Sequence, residues 1–375
     1  VRLFDKVEEA GFVSRPNRFV VRCRLGQRLI SAYLPNPGRL TELFLPGAVL
    51  LLEKSSNKGR KLPYTVVSVL RDGYPVLLHT HRTNDVAEFL IKKGRVPGLE
   101  GARIIRREKA IGRSRFDFFL HDKGTEIVLE VKSCTLFTKR AAMFPDAVTA
   151  RGRRHVEELA AISRNGREGQ VLFIINHPSI EYFVPDFHTD PAFASALLGA
   201  RDSMTITPLA MSVDRAFRVK KETRVLPIAW DVVEEHNRDA GAYVLILRLK
   251  RRRKLGIGAL GNVDFPAGFY TYVGSARRGL GKRMERHRKR EKKIFWHIDY
   301  LREAAEFVTI FPIRTLDDIE CELAGKTAGL LGEGMRNFGS SDCNCASHLF
   351  FSEKNPMDIR EFHDMIYYYR VDRFF

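Results

Sequence analysis

Short apolar runs set off by Gly, Pro and Asn fill the first 80 residues: VVRCRL, RLISAYL, AVLLLEKS, YTVVSVLR and YPVLLHT. Runs of this length and composition predict five strands, which suits a small β-barrel of the oligonucleotide-binding (OB) type or a compact sheet. Asn36-Pro37-Gly38-Arg39 predicts a turn in which Gly38 takes a positive φ, with Arg39 beyond it placed to touch a phosphate. From Val86 the period changes. DVAEFLIKKG predicts a helix stopped by Gly94, RIIRREKAI an extended basic segment, and RFDFFLHD and EIVLEVKSC two strands. A helix opens at Pro145-Asp146 and runs to about Ile162, VLFIIN is a fully buried strand, and another helix covers about Pro191 to Leu198. Strands alternating with helices predict an α/β core around a mixed sheet. The polar stretch Asp231 to Asp239, with EEHNRD, reads as a linker. Beyond it, GAYVLILRLK and GFYTYVGSA predict strands, and helices are expected over 279–291, 299–307 and 317–331. The tail DMIYYYRVDRFF is aromatic enough to pack on a core or a partner. The resulting plan is a multidomain α/β (α+β) chain: a β domain over 1–82, an α/β domain over 83–230, a linker over 231–240 and a second α/β domain over 241–375.

Charge narrows the partners. The 375 residues hold 63 Lys+Arg against 45 Asp+Glu, a net charge of +18, which favours an anionic partner or simply keeps the protein soluble. Residues 277–293, RRGLGKRMERHRKREKK, concentrate ten Lys or Arg against two Glu, a density that repels itself unless phosphates or acidic partners pass nearby. No apolar run approaches the ~18 residues that span a bilayer, and the N-terminus does not read as a signal peptide, so no membrane partner is expected. Five cysteines (an odd number, thinly spread) argue against a disulfide scaffold and for a reduced, cytoplasmic setting.

Two sets of residues carry candidate chemistry. In the first, Asp117 interrupts the apolar strand RFDFFL, and Glu130 and Lys132, two residues apart in IVLEVKSC, share one strand face. Ionisable groups among Phe116, Phe118 and Val131 are costly to bury unless they pair or bind metal. Two carboxylates and a lysine are what phosphodiester hydrolysis calls for: Asp117 and Glu130 hold Mg²⁺ or Mn²⁺, and Lys132 orients the attacking water. The alternative is a carboxylate–lysine pair bracing adjacent strands. In the helix that follows, Asp146 suits the start, Arg151 and His155 lie four apart on one face, and with Arg153 and Arg154 they form a basic flank for DNA backbone. Gly152 there would let a phosphate approach.

The strings AYLPNPGRL, SSNKGRKLPYT, IRREKAIGRSRFDFFL, LEVKSCTL and FPDAVTARGRRHVEEL resemble the sugar fermentation stimulation protein family over about residues 1–229. The resemblance implies DNA binding, an OB-like N-terminal domain and a PD-(D/E)XK nuclease-like second domain, with Asp117, Glu130 and Lys132 at the nuclease-motif positions. Fold alone does not establish cleavage, so DNA binding carries over more directly than hydrolysis.

The second set begins with Tyr243 and Tyr272 on the strands GAYVLILRL and FYTYVGSA, with Gly274 allowing close approach at the strand end. Arg283 and His287 are four apart on one helical face, Arg286 and Arg290 form another such pair suited to nucleic acid, and Glu320 opens a later segment. A tyrosine lowered in pKa by cations activates water, an arginine clamps phosphoryl oxygens and a carboxylate holds Mg²⁺. The alternative is two tyrosines packing at strand ends beside a solvated basic helix. Residues 241–350 resemble an uncharacterised branch of the GIY-YIG nuclease-like family through FPAGFYTYVGSA, KIFWHIDYL and FGSSDCNCASHLF. That resemblance implies motif positions for Tyr243, Tyr272 and Gly274, the catalytic arginine at Arg283, a following histidine at His287 and a metal ligand at Glu320. An insertion containing KRRRK separates the two tyrosine motifs, and Ala242 replaces a larger aliphatic residue.

Cys343, Cys345 and His348 in DCNCASH offer three soft donors, which bind Zn²⁺ if His297 or Cys321 completes a tetrahedron. The competing reading is buried small hydrophobes. Asp299 either orients His297 or caps its helix. Together these residues predict a three-domain protein acting on duplex or single-stranded DNA, with one or two Mg²⁺- or Mn²⁺-dependent nuclease centres. Against it stands a non-catalytic DNA-binding regulator whose nuclease-like folds recognise backbone geometry. An RNA-processing role is a third class, because charge does not separate RNA from DNA.

Overall fold

The computed structural model describes residues 1–57 and 59–375; Lys58, within SSNKGRKLPYT, lies outside them. The chain separates into two compact units, Val1–Val233 and Glu234–Phe375. The first opens with β1 (Val7–Asn17), β2 (Val20–Leu25), β3 (Arg28–Tyr33), β4 (Val49–Lys54), β5 (Tyr64–Arg71) and β6 (Tyr74–Leu77). They form one sheet in the order β3-β2-β1-β4-β5-β6, and a further pairing of Tyr33 with Thr65 closes β3 onto β5 as an OB-like barrel. In β2, Val21, Cys23 and Leu25 are buried while Arg22 and Arg24 are exposed, the period-2 pattern of a strand with one dry face. β1 is an addition to the five expected strands. VEEAGFVSRPN buries only Ala10 fully, and pairing to both β2 and β4 holds it in place.

The rest of the unit is α1 (Thr80–Lys92), β7 (Arg103–Ile111), β8 (Ser114–Asp122), β9 (Thr125–Cys134), β10 (Leu136–Phe137), β11 (Ala141–Phe144), α2 (Ala150–Arg164), β12 (Glu168–Ile175), β13 (Tyr182–Pro185), α3 (Pro191–Ala200), β14 (Thr205–Val213) and β15 (Val219–Val225). A mixed sheet runs β15-β14-β12-β9-β8-β7, with β12 parallel to both β9 and β14, beside a small sheet β10-β11-β13. Val86, Leu90 and Ile91 of α1 pack on Leu129, Val131 and Leu172. Val156 and Leu159 of α2, with Phe193 and Leu197 of α3, pack on Val128, Val171 and Phe173. Alternate residues of β9 and β12 thus feed opposite apolar layers, which makes a helix–sheet–helix sandwich.

Two local expectations change. Gly38 does not take the positive φ; Leu40 does, at 53°. Gly38 is instead required by proximity, since a Cβ there would lie 2.1 Å from Asp146 Oδ2. The helix expected from Pro145 begins only at Ala150, capped by Thr149 Oγ1, which accepts the Gly152 N–H at 3.0 Å. Asp146 accepts the Arg39 backbone N–H at 3.0 Å and caps nothing in α2. Gly152 serves the cap, because a Cβ would sit 2.8 Å from the Thr149 side chain.

A short helix, α4 (Trp230–His236), occupies most of the polar stretch read as a linker, and the divide between the units falls within it. The second unit continues with β16 (Gly241–Leu249), β17 (Arg253–Gly256), β18 (Asn262–Phe265), β19 (Gly268–Ala276), α5 (Leu280–Arg288), α6 (His297–Ala304), β20 (Glu306–Arg314), α7 (Glu320–Leu331), β21 (Leu349–Ser352) and α8 (Arg360–Arg370). An antiparallel sheet β20-β16-β19-β21 carries α5 and α6 on one face, where Leu280, Met284 and Leu301 meet Leu245 and Leu247. On the other face Leu323 of α7 and Phe362, Ile366 and Tyr369 of α8 meet Val244 and Ile246, so part of the aromatic tail is core while Tyr368 is exposed. The KRRRK insertion runs into the hairpin β17–β18. Among the described residues no helix is long and apolar enough to cross a membrane.

Candidate functional site

In the first unit, β8 and β9 pair antiparallel up to Phe118 and Leu129, and there the ladder gives way to side chains. Asp117 Oδ2 accepts the Val131 N–H at 2.7 Å, in place of a backbone carbonyl. Phe116 joins one apolar layer and Phe118 the other, so the strand alternation slips at Asp117. Asn84 of α1 donates to Asp117 Oδ1 at 2.7 Å, a contact no motif in the chain announces. Glu130 is buried on the β9 face that looks toward α2. Its Oε1 accepts from Lys132 Nζ and from His155 Nδ1, the latter at 2.6 Å, while its buried Oε2 has no hydrogen-bond partner among the described residues.

The two acids differ in electrostatics. Burial, then the negative charge of Glu130, pushes the Asp117 carboxyl up, against the Val131 and Asn84 hydrogen bonds. Burial also pushes Glu130 up, but hydrogen bonds from His155 and the charge of Lys132 outweigh it and hold Glu130 below its ordinary value. Asp146, likewise raised by burial, lines the same hollow of about 520 Å³, together with Asn36, Thr80, Lys132 and Arg151. Among the described residues, a buried carboxylate oxygen without a partner thus lies near a second carboxyl that resists ionisation.

The basic flank is smaller than expected. His155 is 1% exposed and turned toward Glu130, with its Nε2 accepting from Arg151 Nε at 3.3 Å; a ring so enclosed orients the acid and does not meet a nucleic acid. Arg151 and Arg154 are exposed on α2, and the Arg39 side chain is exposed at its turn.

In the second unit the register opposes Tyr243 to Gly274 and Leu245 to Tyr272, setting the two tyrosine rings 6.3 Å apart. A Cβ on Gly274 would meet Tyr243 Oη at 2.5 Å, so glycine makes room for the ring. Tyr243 Oη and His287 Nε2 are 2.8 Å apart, both groups buried. Arg283 donates to the Ser275 carbonyl at 2.7 Å and stacks on Trp296, while the Ser275 hydroxyl donates to Glu320 Oε2. Ser275, unremarked in the sequence, therefore joins Arg283 to Glu320.

The tyrosine activation expected from the sequence does not hold here. Burial, the largest cause, raises both Tyr243 and Tyr272 against the pull of Arg283, and burial lowers His287 to about 3. Burial thus favours the neutral forms of both tyrosines and of the imidazole. Arg286 pairs with the buried Asp299 and stacks on Trp296, so it is spent within the fold. Arg290 lies past the end of α5, exposed, with its Nε on the Glu303 carbonyl, and does not share the helical face of Arg286. Asp299 caps α6 by accepting the Phe295 and Trp296 N–H groups.

Cys321, Cys343, Cys345 and His348 place one donor atom each within 4.8 Å of one another, a set capable of coordinating a metal. Cys321, the first candidate's neighbour in space though 22 residues away in sequence, takes the fourth place; His297 instead accepts the Gly339 N–H.

A small β-barrel followed by a mixed α/β sandwich, with two acids and a lysine where β8 and β9 part, defines the class of the first unit. The chain belongs to the sugar fermentation stimulation protein family. Residues 13–78 match the SfsA N-terminal OB domain and residues 81–217 the sugar fermentation stimulation protein RE domain. A homolog from Methanothermobacter thermautotrophicus is 39% identical over 204 residues, covering 54% of this chain and 85% of that one. One from Clostridium tetani is 36% identical, covering 59% of this chain and 97% of its own length. The solved structure of Pyrococcus furiosus SfsA in complex with Ca²⁺ is 30% identical, with a TM-score of 0.56, covering 61% of this chain and 99% of that one. Residues 242–370 match a domain of unknown function, DUF123.

Proposed function

We propose that this chain is a DNA-binding protein of the sugar fermentation stimulation type, which seats a phosphodiester backbone over the Asp117–Glu130–Lys132 hollow. The reading rests on one observation: Glu130 Oε2 is buried without a partner beside the raised Asp117 carboxyl, in a hollow bordered by Arg18, Lys132 and Arg151. Two carboxyls repel phosphate unless a divalent cation lies between them. The Pyrococcus furiosus relative was solved in complex with Ca²⁺, which supports looking for a divalent cation in this chain. On this reading the 83–230 region is PD-(D/E)XK-like, Asp117 and Glu130 hold Mg²⁺ or Mn²⁺, and the ion supplies positive charge to the phosphoryl oxygens. His155 holds Glu130 in its rotamer, Lys132 balances its charge, and Arg39, Arg151 and Arg154 contact the flanking phosphates. The 241–375 region is read as GIY-YIG-like, with Tyr243, Tyr272 and His287 as a buried frame that holds the partly exposed Arg283 toward a backbone.

Hydrolysis is the second reading, and the Glu130–Lys132 contact favours placing it in the first unit: an ammonium beside a bound cation orients water toward a phosphate. Fluorescence anisotropy on labelled duplex and single-stranded DNA tests binding. Log affinity is expected to fall steeply with log salt, and a double Arg151→Ala, Arg154→Ala variant to flatten that slope by about two, roughly one per phosphate contact. Affinity insensitive to salt would refute the basic seat. Incubation with Mg²⁺ or Mn²⁺ tests hydrolysis: cutting that Lys132→Ala abolishes and Arg283→Ala spares assigns it to the first unit, and an intact substrate leaves binding as the activity.

A further inference from the structure

We infer that Cys321, Cys343, Cys345 and His348 hold one Zn²⁺ as a closed structural site, and that Glu320 serves it as the partner of the ligating histidine. Three thiols and an imidazole are a soft donor set that selects zinc over magnesium. Tetrahedral zinc, with ligands at about 2.0–2.3 Å, spaces its donors roughly 3.3–3.8 Å apart. The four donors here already lie within 4.8 Å of one another, and Cys343 Sγ is 3.5 Å from His348 Nε2. The tautomer is set from the other side of the ring, because His348 Nδ1 meets Glu320 Oε1 at 3.1 Å and so leaves Nε2 for the metal. A carboxylate behind a ligating histidine is the usual outer partner of a zinc site; it fixes the ring and raises its basicity. Four protein ligands leave no open position, so the ion is structural.

The site has a mechanical consequence. Cys321 lies in the first turn of α7, and Cys343, Cys345 and His348 come from the turn-rich segment before β21. Zinc staples that segment to the helix and fixes Glu320 beside Ser275 and Arg283. Glu320 then has one oxygen on His348 and the other on Ser275. It acts as a positioning residue of the zinc site, not as the seat of a hard cation next to Tyr243.

The test uses the whole chain, purified without chelator. Elemental analysis should find one zinc per chain, and Cys343→Ser or Cys345→Ser should lose it. Exchange for Co²⁺ in the wild type should give thiolate-to-cobalt charge transfer and the intense visible bands of tetrahedral Co²⁺. Glu320→Gln should still take up one metal but compete with a chelator about 10–100-fold less well. Substoichiometric metal, or a weak octahedral Co²⁺ spectrum, in the wild type would overturn the site whatever the cysteine variants do. Unchanged affinity in Glu320→Gln would overturn the role given to that residue.

Discussion

His287 shows how burial changes what a residue can do. It is 0% exposed, sits against Tyr243, and burial lowers its pKa from 6.5 to about 3, with further lowering from Lys292. Between those two values the unfolded chain binds the extra proton and the folded chain does not. Stability is therefore fully present above pH ~6.5 and is lost as pH falls toward 3, at up to about 1.4 kcal/mol per pH unit from this group. Denaturant unfolding at stepped pH values should show this loss, and His287→Gln should have the shallower acid dependence; parallel curves would mean the imidazole is already charged in the native state. Which residues face inward was only partly legible. Asp117 and Glu130 stood out because charge in an apolar strand demands a reason. His155 did not, since an Arg151–His155 pair has the same spacing whether its helix face looks out or in, and only packing against β9 decides that phase.

At the scale of elements, Gly38, Gly152 and Gly274 are explained by close approach and not by backbone freedom. Gly274 faces Tyr243 across β16 and β19, and the ring above it is locked by His287 and the sheet. Gly274→Ala should destabilise the chain by about 1–3 kcal/mol as an overpacked core position, while Gly199→Ala, with open space around it, should be neutral or mildly stabilising. Equal thermal shifts for the two would contradict the packing account. The elements β9, β12, β16 and β19 could be read from sequence because IVLEV, VLFII, YVLIL and FYTYV are dominated by β-branched, aromatic and leucine residues. β1 could not, since its partners supply most of its stability. The start of α2 was misplaced because Asp146 resembles an N-cap, yet its carboxylate is taken by the Arg39 N–H 107 residues away.

For the whole molecule, the excess of 18 positive charges states a preference for anions without saying where they bind. The distribution is more informative. Arg286, prominent in the basic run 277–293, is consumed by Asp299 and by the Lys293 carbonyl, whereas Arg39, Arg151 and Arg154 stay exposed. The proposed function rests on the contrast between that basic flank and the acidic pair Asp117 and Glu130. The decisive measurement is DNA affinity with and without Ca²⁺, for the wild type and for an Asp117→Asn, Glu130→Gln variant, at constant ionic strength. Ca²⁺ should tighten DNA binding by the wild-type chain and leave the variant unchanged, even though removing two negative charges raises the variant's baseline affinity. An equal response to Ca²⁺ in both proteins would contradict a cation shared by Asp117 and Glu130.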